Sequence, residues 1–199
     1  MTRVSRVVLW LAAGITLIVC GWASSVRAAD PPLTLTPDEA VRLEALRDAS
    51  ERVRAAYGRR CTQDPCVPSL LPKDTLEAVA IWDASLFRIR LHRRALAAGV
   101  DPRPAFAHEL SHWLLGHTGI NCLGQALECE TAANAEAVQV LVAGWALPHE
   151  DAVSLMYNSL ASGLRRDRPL RGHDALCQEV AAFARRFNRP LPACASSGG

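Results

Sequence analysis

The pattern of apolar and polar positions predicts a chain made mainly of helices. Residues 36–39 read Thr-Pro-Asp-Glu, which supplies a capping residue, a proline at the first helical position and a capping-box glutamate. A helix that begins there can end at Gly58, since glycine favours helix C-termini. Its apolar side chains recur at helical spacing, at Leu43, Leu46, Val53 and Tyr57.

Four more helices are predicted from similar signals. Asp101 followed by Pro102 marks a helix start, and the apolar pattern continues to about Leu115. A long helix is expected over Gln125–Trp145, because Pro148 follows it. The last two are expected at about 150–164 and about 173–188.

Two short segments, 76–82 and 86–91, have the composition of strands. In the second segment apolar residues alternate with Arg88 and Arg90, as in a half-buried strand. The segment Cys61–Lys73 holds three prolines and is expected to be irregular. The predicted fold class is therefore α+β: a mostly helical domain with a small antiparallel sheet before the helix at 101–115, stapled by disulfides.

The first 28 residues have the layout of a secretory signal peptide. Arg3 and Arg6 precede an apolar run from Val7 to Trp22, and residues 26–28 offer a cleavage site. A single-pass membrane anchor is the alternative, because the run approaches the roughly 20 residues that a span needs. With the signal cleaved, residues 29–199 form one domain, exported to the periplasm or the medium without stable membrane insertion.

The charge balance argues against a nucleic-acid partner. The chain has 22 Lys and Arg, of which three lie in the first 28 residues, and 20 Asp and Glu, all of them later. The mature chain would thus carry 19 basic and 20 acidic residues. Its arginines are scattered and form no basic stripe of the kind that binds nucleic acid.

Cysteine usage indicates disulfides rather than a thiolate metal site. Seven cysteines become six once Cys20 leaves with the signal peptide, and an even number after export is typical of disulfide bonding. No C-x-x-C pair is present. Of the 15 possible pairings, proximity along the chain favours Cys61–Cys66, Cys122–Cys129 and Cys177–Cys194.

Residues 108–112 read His-Glu-Leu-Ser-His, an H-E-x-x-H motif on a predicted helix. Residues four apart lie one turn apart on nearly the same face, so His108 and His112 can reach one ion. Glu109 lies beside that face, where it can act as general base toward a metal-bound water. The alternative is two solvated histidines on a surface helix.

A third ligand is expected from the following helix. Of its three carboxylates, Glu130 shares the inward face with apolar residues, whereas Glu128 and Glu136 point to other sides. A buried carboxylate needs a cation or an ionic partner, so the alternative is a salt bridge to an arginine. Asn134 lies one turn further along and can orient a ligand imidazole by a hydrogen bond.

The H-E-x-x-H motif, followed by Glu130 and by Asn134 one turn later, resembles the gluzincin metallopeptidases and most of all the compact minigluzincins. The resemblance covers roughly residues 75–148 and implies one Zn²⁺ ion and a peptide or protein substrate. It also implies an edge strand that holds an extended peptide, and Phe87–Leu91 lies in the matching place. The metzincin pattern fails, because its third histidine would fall at Thr118.

The expected function is therefore that of an exported zinc metalloendopeptidase, with Glu109 as general base. Gluzincins have a further Tyr or His that stabilises the oxyanion, and the candidates are Tyr157, His173 and His149. His117 is interpreted as a capping or core residue. The alternative function is a catalytically inactive, zinc-containing binding module on the same scaffold.

Overall fold

The computed structural model describes residues 33–59, 65–76, 78–164 and 176–192. All of them belong to one compact unit, Leu33–Gly199. The expected signal peptide at 1–28 lies outside the described residues. Among the described residues, no helix combines the length and the apolar character that a membrane span requires.

The described fold contains five α-helices and one three-stranded sheet, which confirms the mixed α+β prediction. The helices are α1 (Pro37–Ala56), α2 (Arg103–Leu115), α3 (Ala126–Trp145), α4 (His149–Leu164) and α5 (Leu176–Arg186). The strands are β1 (Ser69–Lys73), β2 (Ala80–Asp83) and β3 (Arg88–His92). Short 3₁₀ turns at Ala84–Leu86 and Arg93–Leu96 flank β3.

Local signals in the sequence explain where α1 and α2 begin. The Thr36 backbone N–H donates to Glu39 Oε2 at 2.8 Å, and the Glu39 N–H donates to Thr36 Oγ1 at 3.3 Å, so the predicted capping box is formed. At α2 the Asp101 carboxylate accepts from the Arg103 backbone N–H at 3.0 Å. Each contact satisfies backbone donors that a helix start leaves unpaired.

The end of α2 positions His117. Gly116 has φ 69°, in the left-handed region that glycine adopts without strain. The chain then turns back, and the His117 backbone N–H donates to the His112 carbonyl at 2.8 Å. His117 is therefore held next to the last turn of α2.

The sheet differs from the predicted antiparallel one. Strand order is β1-β3-β2, and β1 pairs with β3 in parallel whereas β2 pairs with β3 antiparallel. The prediction that Cys61–Lys73 is irregular is wrong at Ser69–Lys73, which forms β1. Pro72 is tolerated there because β1 is an edge strand, where a missing N–H costs no ladder bond.

The assignment of Phe87–Leu91 as an edge strand is also wrong. Strand β3 has a partner on each side and is the central strand. Phe87 itself lies outside it, with φ 46° at the end of a 3₁₀ turn. The edge strand that packs on α2 is β2 instead. Local alternation of apolar residues identified a half-buried strand correctly but carried no information about its neighbours.

Helix α3 is central to the core and packs against α1, α2, α4 and α5. Gly144 permits the close approach of α1, since a Cβ there would lie 3.2 Å from Val53 Cγ2. The largest fully buried apolar side chains come from the sheet and the helices, and include Ile89, Leu91, Phe106, Leu110, Val138 and Leu141.

The predicted Cys122–Cys129 disulfide is confirmed, with an S–S distance of 2.07 Å, and ties the α2–α3 loop to α3. Cys66 and Cys177 are also disulfide-bonded. The predicted pairs Cys61–Cys66 and Cys177–Cys194 each include a cysteine outside the described residues.

The α1 cap makes stability depend on pH. A hydrogen bond from Arg93 and one from the Thr36 N–H lower the pKa of Glu39 from 4.5 to about 2. The folded state therefore gains stability from this carboxylate above pH 4.5 and loses that gain as the pH falls toward 2.

We expect Glu39→Gln to flatten the pH dependence of the free energy of unfolding between pH 4.5 and about 2, because the amide does not titrate. Urea denaturation at a series of pH values measures this dependence.

Glu44→Gln on the same helix provides the control for this prediction, because Glu44 forms an exposed pair with Arg47 and no pair with another described residue. That variant should follow the parent curve. If the free energy of unfolding fell by the same amount at low pH in the parent and in Glu39→Gln, the pH dependence could not be assigned to Glu39.

Candidate metal centre

Helix α2 brings the two motif histidines together. Their spacing of four residues puts both imidazoles on the same side of the helix. His108 Nε2 and His112 Nε2 lie 3.0 Å apart, and the two residues are only 8% and 9% exposed. The two rings are therefore buried with their Nε2 atoms converging.

Helix α3 supplies the third group. Glu130 Oε2 lies 3.0 Å from His108 Nε2 and 3.6 Å from His112 Nε2. The packing of α2 on α3 thus brings together the three residues predicted as metal ligands. Glu128 lies on the exposed side of α3, and Glu136 accepts a hydrogen bond from the Tyr57 hydroxyl instead.

The three converging atoms fit a zinc site. Zinc binds nitrogen and oxygen at about 2.0–2.1 Å with tetrahedral geometry, which puts its ligand atoms about 3.3 Å apart. The separations of 3.0 and 3.6 Å between these side chains lie on either side of that value. Two imidazoles and one carboxylate are also the donor set of many catalytic zinc sites.

Asn134 determines which nitrogen of His108 carries the proton. Its Oδ1 lies 2.9 Å from His108 Nδ1. A carbonyl oxygen only accepts, so Nδ1 must be the protonated nitrogen. In the neutral ring, Nε2 then presents its lone pair toward Glu130 and His112. This arrangement is repulsive unless a positive charge lies between the three groups.

His117 plays the corresponding part for the second histidine. Its Nδ1 lies 3.0 Å from His112 Nδ1. Burial, followed by repulsion from His112, lowers the pKa of His117, which favours the neutral ring, whose Nδ1 can accept a hydrogen bond from His112 Nδ1–H. His117 caps α2 through its backbone, as predicted, and its side chain in addition orients His112.

A proton supplies the positive charge when no metal does. Burial lowers the pKa of His108, but the hydrogen bond to the Glu130 carboxylate, together with the negative charges of Glu109, Glu130 and Glu179, outweighs burial and raises the pKa to about 9. Burial likewise raises the pKa of Glu130, and hydrogen bonds from His108 and His112 outweigh it and hold the pKa below its ordinary value. The pocket thus favours a cation, and a metal ion and a proton compete for it.

Glu109 lies beside the three converging groups, on the side of the sheet. Its Oε2 accepts a hydrogen bond of 2.6 Å from the Trp82 backbone N–H of β2. The indole N–H of Trp82 donates in turn to the His117 carbonyl at 2.9 Å. Strand β2 is thereby joined both to the motif helix and to the loop that follows it.

A cleft of about 210 Å³ opens next to these residues. His108, Glu109 and Asn134 form part of its wall, and the rest is mainly apolar. The apolar lining comes from the start of β2 and the residue before it, from α2 and from α4, and includes Val79, Ala80, Pro104, Met156 and Leu160.

Glu179 is a cleft residue that the sequence analysis missed. It lies on α5, is 1% exposed, and accepts a hydrogen bond of 3.3 Å from Asn134 Nδ2. The signal was present in the sequence, because Glu179 lies within the apolar face that Val180 and Phe183 form on α5. A carboxylate on such a face indicates a buried polar partner.

Two of the three candidates for oxyanion stabilisation, Tyr157 and His149, are not brought into this arrangement. The Tyr157 hydroxyl donates to the Pro190 carbonyl at 2.7 Å, and Tyr157 is absent from the described lining of the cleft. His173 lies outside the described residues. The His149 ring lies against the Phe187 ring, with the ring centroids 6.2 Å apart and the planes tilted by 50°.

A second group of metal-ligand atoms lies close by, on His117, Cys122 and Cys129. The two sulfur atoms are joined in a disulfide and are therefore not thiolate ligands. The candidate metal centre is therefore the group formed by His108, His112 and Glu130, whose ligand atoms are nitrogen and oxygen.

Comparison of the chain with family models, with curated proteins and with solved structures finds no match.

Removal of the carboxylate should abolish tight metal binding. We expect about one zinc per chain in the purified protein and much less in Glu130→Ala, because two imidazoles alone leave the site without its negative charge. Elemental analysis after dialysis against a weak chelator measures this ratio. Glu128→Ala, two residues earlier on the exposed side of α3, should retain zinc. Equal zinc contents in Glu130→Ala and the parent would contradict the ligand assignment.

Proposed function

We propose that this chain is an exported zinc-dependent metallopeptidase that hydrolyses peptide bonds on a zincin-like scaffold. The convergence of His108, His112 and Glu130 beside Glu109 supports this proposal most strongly. The resemblance of the same residues to the gluzincin pattern supports it further. Export rests on the features of residues 1–28 and on the cysteine usage.

In this proposal His108, His112 and Glu130 hold the zinc ion. A zinc ion with three protein ligands lowers the pKa of bound water to about 7 and polarises a substrate carbonyl. Asn134 and His117 orient the two imidazoles through their Nδ1 atoms, at 2.9 and 3.0 Å. Such outer contacts commonly change metal affinity or activity by about 10- to 100-fold when they are lost.

Glu109 serves as the general base. It is next to His108 in the chain and projects into the cleft, where its carboxylate can accept a proton from the attacking water and pass it to the leaving amine. The hydrogen bond from the Trp82 N–H holds one carboxylate oxygen at a defined position. The other oxygen is then oriented with it, as proton transfer requires.

An extended peptide would bind along β2 rather than along Phe87–Leu91. The Val79 carbonyl accepts from His92 N–H of the central strand, so the backbone groups of Ala80 and Trp82 point away from β3. Trp82 N–H reaches Glu109, and Ala80 lines the cleft. Because the Trp82 N–H already donates to Glu109, a substrate strand along this edge would pair with the outward backbone groups of Ala80, next to the Glu109 carboxylate.

The cleft wall suggests which residues the substrate presents. Its lining is mostly apolar and small, and its volume of about 210 Å³ leaves room for one side chain of ordinary size. Burial of an apolar side chain there would contribute about 1.5–3 kcal/mol to binding. We therefore expect cleavage next to an apolar residue.

A second function, that of an inactive zinc-containing binding module, is favoured by one observation. Among the described cleft residues none is a Tyr, Arg or Lys that would stabilise an oxyanion. A module of this kind would bind extended peptides along β2 without cleaving them.

The substitution Glu109→Gln distinguishes a loss of catalysis from a loss of zinc binding. It should lower kcat/KM by about 10²- to 10⁴-fold, because the amide cannot take the proton. Its zinc content should stay at the parent level, since Glu109 is not a ligand. The measurement is mass spectrometry of an unstructured peptide mixture incubated with each variant, and Glu128→Gln should cleave like the parent. Full activity of Glu109→Gln would exclude the proposed mechanism, and a zinc-loaded parent without activity would favour the binding module.

A further inference from the structure

The carboxylate of Glu179 is buried in the apolar layer between α5 and the rest of the core. Its neighbours on the inner face of α5 are Val180, Phe183 and Ala184, all of which are buried. Charged groups are retained in such places only with hydrogen-bonding or ionic partners. Helix α5 also packs on α3, so its inner face lies next to the residues that orient the site.

The contact between Glu179 and Asn134 decides the orientation of the Asn134 amide. An ionised carboxylate only accepts hydrogen bonds, so Asn134 must present its NH₂ group to Glu179. The amide oxygen is then directed to the opposite side, where it lies 2.9 Å from His108 Nδ1. If the amide were reversed, NH₂ would face the imidazole and carbonyl oxygen would face the carboxylate.

The reversed amide would also change His108. Nδ1 would have to accept a hydrogen bond, and the proton of the neutral ring would move to Nε2. Nε2 is the atom that converges with His112 and Glu130. A protonated Nε2 cannot ligate a metal ion, so the orientation of one amide controls whether His108 can bind.

We propose that Glu179 is a positioning residue for the metal centre: it orders the Asn134 amide and thereby holds His108 as the tautomer whose Nε2 faces the metal. The effect on the metal rests on the proposed function. The effect on the Asn134 amide does not, because it follows from the contact between Glu179 and Asn134.

The negative charge of Glu179, and not only the size of its side chain, is needed to fix the orientation of the Asn134 amide. Glutamine has the same size, but its amide can either accept from Asn134 NH₂ or donate to Asn134 Oδ1. Glu179→Gln therefore preserves the packing of α5, but it replaces a partner that only accepts hydrogen bonds with one that can also donate. It should populate both orientations, of which only one permits metal binding.

Two measurements on Glu179→Gln test the proposal. Zinc affinity, determined by competition with a chromophoric chelator, should fall about 10-fold or more. In the zinc-free protein, NMR of the Asn134 side-chain amide should show slow hydrogen exchange in the parent and fast exchange or a second set of signals in the variant. Glu128→Gln on α3 is the matched control and should match the parent in both measurements, with an unchanged Tm in all three proteins.

A role in packing alone is tested by exchanging the two groups. Asn134→Asp by itself puts a second carboxylate where the amide stood, 3.3 Å from Glu179 in the parent, and should weaken zinc binding by like-charge repulsion. When Asn134→Asp is combined with Glu179→Gln, the introduced glutamine amide can donate to the introduced aspartate. That aspartate still accepts from His108 Nδ1–H. Zinc affinity should then return to within about threefold of the parent, a strong non-additivity.

Three outcomes decide the matter. Loss of affinity in each single variant and recovery in the double variant would support the proposal. Additive losses, or an unchanged Asn134 amide in Glu179→Gln, would overturn it. A parent that binds no zinc but shows a protected Asn134 amide, lost in Glu179→Gln, would support the ordering by Glu179 while it removes the proposed enzymatic function.

Discussion

The burial of the Glu130 carboxylate against two imidazoles is the interaction on which the site depends. An unpaired carboxylate among apolar side chains would be strongly unfavourable, so the fold must place positive charge beside it. His108 and His112 are both held there, with Nε2 atoms 3.0 and 3.6 Å from Glu130 Oε2. The packing of α2 on α3 produces this meeting, and the apolar side chains Phe106, Leu110, Val138 and Leu141 stabilise it from within the core. A metal ion or a proton can satisfy the carboxylate, and a metal ion would satisfy all three groups at once.

The surrounding layer assigns a fixed orientation to each converging group. Asn134 and His117 take the Nδ1 positions of the two rings, Trp82 N–H holds Glu109, and Glu179 orders Asn134. These contacts come from the loop after α2, from β2, from α3 and from α5. Four separate elements therefore converge on one motif helix, which is more than two surface histidines would require. Preorganisation of this kind reduces the cost of binding a metal ion in a defined geometry.

Much of the site could be predicted from the sequence, because it depends on spacing within single helices. The four-residue spacing of His108 and His112 and that of Glu130 and Asn134 translate directly into shared helix faces. The helix starts at Thr36 and Asp101 could also be predicted, from the capping residues.

The features that could not be predicted depend on contacts between helices and strands that are distant in the sequence. The central position of β3, the parallel pairing of β1 and the turn of Tyr157 toward Pro190 are set by tertiary packing. Glu179 was missed because its partner lies 45 residues away, although its position on an apolar face indicated one.

X-ray absorption at the zinc edge, on protein loaded with one equivalent of zinc, tests the central claim most directly. The ligand set His108, His112 and Glu130 predicts nitrogen and oxygen neighbours at about 2.0–2.1 Å, imidazole scattering from two histidines, and no sulfur. The neighbouring group of His117, Cys122 and Cys129 would give sulfur at about 2.3 Å only if its disulfide were reduced to thiolates. A shell of light atoms with two imidazoles is the result expected here. Sulfur in the shell, or no retained zinc at all, would contradict it.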